Sequence, residues 1–247
     1  MVPDFLLDLR TVVSEVDTVT PTRRAARVGL WLLPAYGILL GLGTLTHQPP
    51  VQDFDAYARY ITTDVFLISH LGASIFGAAL AVLGVVAVTA YLVSGRAAGL
   101  AVVGLVMTTV ANIFLSAAFG SAAFVQPGIG RAYLAGVQGM PALNADTAYG
   151  PALGATAAGA TLLFVVAAVV LGIAIARSHR RLRAVGVAYA VLLPLFALSG
   201  FLFSIVQSAI GFAVAIATAV LAVQLPRTMG HPGPWTSSAV PTSGSPS

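Results

Sequence analysis

A stretch of 43 residues without a single charge, 184–226, constrains this chain more than any other feature. A straight helix rises about 1.5 Å per residue, so that stretch is about twice as long as a bilayer's hydrocarbon core is thick. It must fold back on itself. Ser199-Gly200 is the natural reversal point, and Pro194 is expected to kink the helix before it. Four other charge-free runs, 29–45, 65–93, 97–125 and 149–176, each match the length of one crossing. With 184–198 and 203–225 as the two arms of the last run, the sequence predicts an all-α polytopic transmembrane bundle of six spans. Composition excludes the main alternatives. Only 8% of the 247 residues are charged and 58% are hydrophobic, whereas a soluble globule carries about a quarter Asp, Glu, Lys and Arg. The absence of Cys removes thiolate catalysis and disulfide scaffolds.

Basic residues collect in cytoplasmic loops, so the arginines give an orientation independent of hydropathy. In the six-span arrangement Arg10, Arg23, Arg24, Arg27, Arg96, Arg177, Arg180, Arg181, Arg183 and Arg227 fall on one side, leaving Arg59 and Arg131 on the other. Both termini are therefore expected in the cytoplasm, in the cell's inner (plasma) membrane, with Arg23, Arg24, Arg27, Arg177, Arg180, Arg181 and Arg183 as the main determinants. The expected organisation is a cytoplasmic N-terminal segment (1–24), a six-helix membrane domain (25–227) and a disordered tail rich in Pro, Ser, Thr and Gly (228–247). Phe5, Leu6, Leu9, Val12, Val13 and Val16 recur at helical spacing, so 4–17 reads as an amphipathic helix. Its polar face is mostly acidic, which leaves two readings: a solvated cytoplasmic helix, or contact with the Arg177 to Arg183 loop or a protein partner rather than anionic lipid. The Arg23-Arg24 pair ahead of the first apolar run reads as part of a retained signal anchor, since no small-residue cleavage site follows. The arginines do not interleave with aromatics, so no nucleic-acid partner is expected.

Recognisable soluble-enzyme chemistry is missing. The chain lacks HExxH, GxSxG and a P-loop, and Gly128-Ile129-Gly130 has Tyr133 where a dinucleotide fingerprint needs its third Gly. No carboxylate lies deep in a span, unlike the proton relays of pumps. What stands out is a polar stripe. On the second span His70, Ser74, Gly77, Ala81 and Gly84 follow one another by four, three, four and three, which shares one helix face. Thr109, Asn112, Ser116 and Gly120 do the same on the third. Counting outward from Gly95 as the turn of an antiparallel hairpin sets His70 within one residue of Ser121 and Ser74 level with Ser116. Ser204 and Gln207 of the last helix lie in the same half of the membrane. His70, Ser74, Asn112, Ser116, Ser121 and Gln207 thus form the candidate polar cluster. It has two readings: a packing seam with interhelical hydrogen bonds, or a site for a solute. Gly37 with Gly41, and Gly150 with Gly154, are further GxxxG pairs.

Two histidines, His47 and His70, fall near the outer surface, where an axial haem pair is conceivable. A pair at the membrane edge matches bundle cytochromes poorly, and no cofactor is expected. In the first outer loop Asp53 is placed to cap a short helix whose aromatics suit the headgroup level. Asp53, Asp55 and Asp64 make only a sparse set for a divalent cation, and no metal is expected. The segment 126–148, rich in Gly and Pro, reads as the second outer loop.

The strings His47-Gln48-Pro49-Pro50, Tyr57-Ala58-Arg59-Tyr60 and Ser69-His70-Leu71-Gly72-Ala73-Ser74 together cover under a fifth of the chain. They resemble uncharacterised multi-pass membrane proteins of actinobacteria. The resemblance implies a six-helix inner-membrane architecture and no catalytic residue. The leading expectation is a non-catalytic membrane component whose partners are the lipid bilayer and a protein docked at the cytoplasmic face. A small-solute transporter or channel built on the polar cluster is the alternative, and a haem-binding membrane protein ranks below both.

Overall fold

The computed structural model describes residues 24–46, 48–200 and 204–229, and these are helical with no strand among them. Eight helices follow in order: α1 (Arg24–Gly43), α2 (Phe54–Ile61), α3 (Asp64–Leu92), α4 (Ala98–Leu134), α5 (Met140–Thr147), α6 (Pro151–Ser178), α7 (Arg183–Ser199) and α8 (Ser204–Met229). A 3-10 turn, Arg180–Leu182, leads into α7. Six of the eight, all but α2 and α5, are long and apolar enough to cross a membrane. The protein is therefore an all-α bundle of multi-pass membrane type. The amphipathic segment 4–17, Arg23, His47 and the tail 228–247 fall outside the described residues, apart from Thr228 and Met229 at the end of α8.

The last run does reverse where its length requires. α7 ends at Ser199, whose hydroxyl donates to the Phe196 carbonyl, and α8 begins at Ser204. Pro194 lies inside α7. In α1, Pro34 has no N–H for the Leu30 carbonyl, and the helix is irregular at Leu30 and Trp31. The surface is apolar all round: Leu162, Ile205, Ile216 and Phe124 are each more than 60% exposed, which leaves lipid as their only favourable surroundings.

Lipid tails are as apolar as the helices, so the spans are held by close van der Waals packing rather than by burial from water. Glycines set two close crossings. At α1 against α8, a Cβ on Gly37 would lie 2.5 Å from the backbone nitrogen of Ala215, and one on Gly211 would lie 2.5 Å from that of Gly41. At α6 against α7 the pattern is reciprocal: Gly172 meets Gly186 and Ala190, while Gly186 meets Ala176. The Gly150 and Gly154 pair does not pack this way, since Gly154 has open space around it. A core of Leu30, Val85, Val88, Leu92, Leu171, Ile175, Leu182, Leu221 and Leu225 is buried at one end of the bundle.

That end carries the arginines. The Arg96 guanidinium donates to the Arg177 carbonyl at 2.6 Å, tying the α3–α4 turn to the α6–α7 turn, and Met229 lies against Gly95. Among the described residues Arg24, Arg27, Arg96, Arg177, Arg180, Arg181, Arg183 and Arg227 sit there, and every described acid, Asp53, Asp55, Asp64 and Asp146, sits at the other end.

The acid-bearing end departs from the loop expected over 126–148. α4 continues through Pro127 to Leu134, nine residues beyond the predicted span, and α5 follows after a short turn. A 37-residue helix is about 55 Å long, so α4 projects beyond any hydrocarbon core. It stops where Gly136 takes φ 87°, with the Val137 N–H bonded to the Ala132 carbonyl and the Gly136 N–H to that of Tyr133. This is a glycine-terminated Schellman end. The projecting part receives α2. Phe54, Tyr57, Ala58 and Ile61, spaced three, one and three, are buried with Phe66 and Ile129, and Gly130 gives Ile61 room to approach. Asp53 caps α2, its carboxylate accepting from the Ala56 N–H at 3.2 Å. Of the α2 aromatics, Phe54 and Tyr57 are packed in protein, with Phe54 edge-on to Tyr133 at 4.9 Å.

Candidate functional site

A cavity of about 490 Å³ opens between the spans in the half of the bundle away from the arginines, a volume suited to a small organic ligand. Every span contributes. Tyr36, Leu40 and Thr44 come from α1; His70, Ala73 and Ser74 from α3; Asn112, Leu115 and Phe119 from α4. Thr161 and Phe164 come from α6, Phe196 and Ala197 from α7, and Gln207 from α8. The lining reaches Gln48 in the α1–α2 connection and Gly200 after α7, and includes no residue of the arginine-bearing end. Its lining stops short of the leucine-rich core at the arginine-bearing end. No Asp, Glu, Lys or Arg lines it.

The π-helical segment Ser69–Phe76 inside α3 shapes one wall. Its wider turn breaks the α-helical spacing that made a single stripe of the small and polar residues of this span. Ser69, His70, Ala73, Ser74 and Ala78 face the cavity, while Gly77 lies against the Tyr36 ring and Gly84 against Leu33 of α1. One sequence stripe therefore divides into a cavity wall and a packing seam.

His70 is held by its own helix. Its Nδ1 lies 2.9 Å from the Phe66 carbonyl, which can only accept, so Nδ1 carries the proton and Nε2 of the neutral ring is left as an acceptor. The ring also stacks on Phe66 at 4.1 Å and meets Phe119 edge-on at 6.2 Å, while Phe66 meets Tyr60 at 5.7 Å. These contacts link the end of α2 to the cavity wall. Asn112 is buried and donates from Nδ2 to the Thr108 carbonyl at 2.8 Å; Gln207 donates from Nε2 to the Phe196 carbonyl at 3.2 Å. Gln48 donates to the Tyr149 hydroxyl at 3.2 Å. At the rim the Thr44 hydroxyl is 3.0 Å from that of Ser208, joining α1 to α8.

No family model, curated protein or solved structure matches this chain. What the site can do rests on its own geometry.

Of the six residues singled out from the sequence, His70, Ser74, Asn112 and Gln207 share the cavity, and Ser116 and Ser121 are half-buried outside its lining. Counting from the hairpin turn fixes depth in the membrane but not the angle around the helix, and α4 presents Asn112, Leu115 and Phe119 instead. Thr109 likewise bonds to its own helix, at the Leu105 carbonyl. Tyr36, Thr44, Gln48 and Thr161 went unnoticed in the sequence. Thr44 and Gln48 sit at the edge of a span and Thr161 stands alone in an apolar run, and only the tertiary fold brings them to His70. The pairing of His47 with His70 lies outside the described residues. Among those described, no three His, Cys, Asp or Glu residues gather as metal ligands, and Asp55 instead pairs with Arg59 at 2.9 Å. That ion pair raises the Arg59 guanidinium above its ordinary pKa.

Outside the spans, Tyr57 is fully buried under α5, with Tyr149 within 3.5 Å of its hydroxyl. Burial is the main reason its phenol is pushed well above the usual tyrosine range, and the Tyr149 hydroxyl pushes in the same direction. Asn144 beside it is also fully buried. At the opposite end a shallow groove runs from Arg180, Arg181 and Arg183 along Val187 and Val191 of α7.

Proposed function

We propose that this multi-pass membrane protein binds a small, uncharged, largely apolar molecule in the cavity between its six spans, admitting it from the non-cytoplasmic side. The observation that carries the reading is that all six spans contribute to one uncharged pocket. A packing seam alone would close such a space with side chains, because an apolar void forfeits contacts without return. Here polar atoms of His70, Ser74, Asn112 and Gln207 share the lining with aromatic and aliphatic side chains. That the lining stops short of the packed leucines at the arginine-bearing end favours binding, or one state of a carrier, over an open channel. Orientation follows the positive-inside rule, with the arginine-bearing end in the cytoplasm and the cell membrane as the site of residence.

The groove at Arg180, Arg181 and Arg183 favours a second role alongside the first, docking of a protein partner at the cytoplasmic face. Binding in the cavity does not depend on it.

The natural absence of cysteine makes the test direct, since any introduced thiol is unique. In proteoliposomes, a small water-soluble thiol reagent should label Ser74→Cys, which lines the cavity, much faster than Ser116→Cys, which does not. Equal, negligible labelling at both positions would show that the space is closed to water and that the polar residues serve packing alone.

A further inference from the structure

The hydrogen bonds around the cavity run in one direction. Thr44, Ser69, His70 and Thr161 each place their single proton against a carbonyl of their own helix, whereas the Tyr36 and Ser74 hydroxyls make no such bond among the described residues. The His70 Nδ1–H bonds the Phe66 carbonyl; the Ser69 hydroxyl bonds that same carbonyl at 2.9 Å; the Thr161 hydroxyl bonds the Ala157 carbonyl at 2.8 Å. The Thr44 hydroxyl lies 2.9 Å from the Leu40 carbonyl. The amides are oriented by the same logic. Asn112 and Gln207 each face a carbonyl, which can only accept, so the NH₂ group points to the backbone and the amide oxygen is turned away from it. The His70 Nε2, Asn112 Oδ1 and Gln207 Oε1 have no hydrogen bond among the described residues, and none is shut off from the open space. The wall thus presents three acceptors, His70 Nε2, Asn112 Oδ1 and Gln207 Oε1, that no donor among the described residues meets.

The remaining lining is aromatic and aliphatic. Tyr36, Phe119, Phe164 and Phe196 supply four rings, with Leu40 and Leu115 between them. An anion would meet lone pairs and no cation. A cation would meet no carboxylate and would lose its hydration in a low-dielectric site, which is costly without a partner charge. What fits is a neutral aromatic body carrying O–H or N–H donors.

Resting on the reading of the cavity as a binding site, we infer that its ligand is an uncharged aromatic hydrogen-bond donor of the phenol class, with the hydroxyl donating to His70 Nε2 or to the Asn112 amide oxygen. The rings of the pocket hold the ligand's ring at edge or offset contact, as aromatic pairs prefer. A buried acceptor left without a donor is penalised, so a ligand of the same shape lacking the O–H binds more weakly.

The test compares para-cresol with its methyl ether, which keeps the ring and removes the only donor. Both are titrated by ligand-observed NMR against the full chain in lipid nanodiscs, with protein-free nanodiscs subtracting partition into lipid. Cresol should bind at least about tenfold more tightly than the ether. His70→Leu should bring the two closer together, and His70→Gln, whose amide oxygen can occupy the Nε2 position, should restore part of the difference. If His70→Leu does not assemble, the wild-type ratio alone decides. A ratio near or below one overturns the donor inference. So does failure of both probes to bind while Ser74→Cys is labelled, which leaves the cavity intact as a different site. Unreactive Ser74→Cys removes the underlying reading itself.

Discussion

Gly37 and Gly154 are each half of a four-residue glycine pair in a membrane-spanning helix, yet the fold assigns them opposite roles, and Gly→Ala at each position measures the difference. A methyl group on Gly37 would sit 2.5 Å from the Ala215 nitrogen and 2.6 Å from its Cα. Real contacts of this kind do not fall below about 3 Å, and the obstacle is backbone, so α1 and α8 must separate. Forced overpacking of this sort costs about 1–3 kcal/mol, against which alanine recovers about 0.5–1 kcal/mol of helix propensity. The net loss at Gly37 is then about 1–2 kcal/mol. Around Gly154 a methyl group meets nothing within 4 Å, so Gly154→Ala keeps only the propensity gain. The propensity gain is common to both, so the two variants should differ by the overpacking term of about 1–3 kcal/mol, roughly five- to a hundred-and-fiftyfold in the unfolding equilibrium. Equilibrium unfolding in mixed micelles, followed by helical circular dichroism, reads this difference. Equal stability of the two variants, or a destabilised Gly154→Ala, would refute the α1–α8 crossing.

Three further outcomes test the outer cap. Asp53→Ala removes the cap of α2 and should lower stability by about 1 kcal/mol, seen as faster proteolysis at the α1–α2 connection with the spans intact. Arg59→Gln with Asp55→Asn removes an exposed i,i+4 pair and should leave the thermal midpoint unchanged within error. Tyr57 has its folded pKa raised, so the neutral phenol is favoured in the fold. Its contribution is fully present below the ordinary tyrosine pKa of about 10 and is lost as pH rises above it. Stability should therefore fall in strongly alkaline buffer, and less so in Tyr57→Phe, as read by tyrosinate absorbance alongside circular dichroism.

The six crossings were legible because charge-free length is a one-dimensional property. The reversal of 184–226 follows from arithmetic alone. The path of α4 past Val125 was not legible, because Pro127, Gly128 and Gly130 argue locally for a loop. Docking of α2 overrides them, and Gly130 becomes the contact that lets Ile61 in. The site was partly legible for a similar reason. Spacing brought His70, Ser74, Asn112 and Gln207 to attention, but it assumed an unbroken α-helix, and the π segment at Ser69–Phe76 turned the lower half of the stripe toward α1. Thr161 and Thr44 carry no local signal, since a threonine bonded to its own helix looks the same in sequence whether or not it borders a cavity.

The central claim, one cavity shared by six spans and open at one end, is tested by a single cysteine in each span. Thr44→Cys, Ser74→Cys, Asn112→Cys, Thr161→Cys, Ala197→Cys and Gln207→Cys, in vesicles of defined orientation, are exposed to a small impermeant thiol reagent from either side. All six should react from the acid-bearing side and none from the arginine-bearing side. Reaction confined to one or two helices, or reaction from both sides, would contradict it.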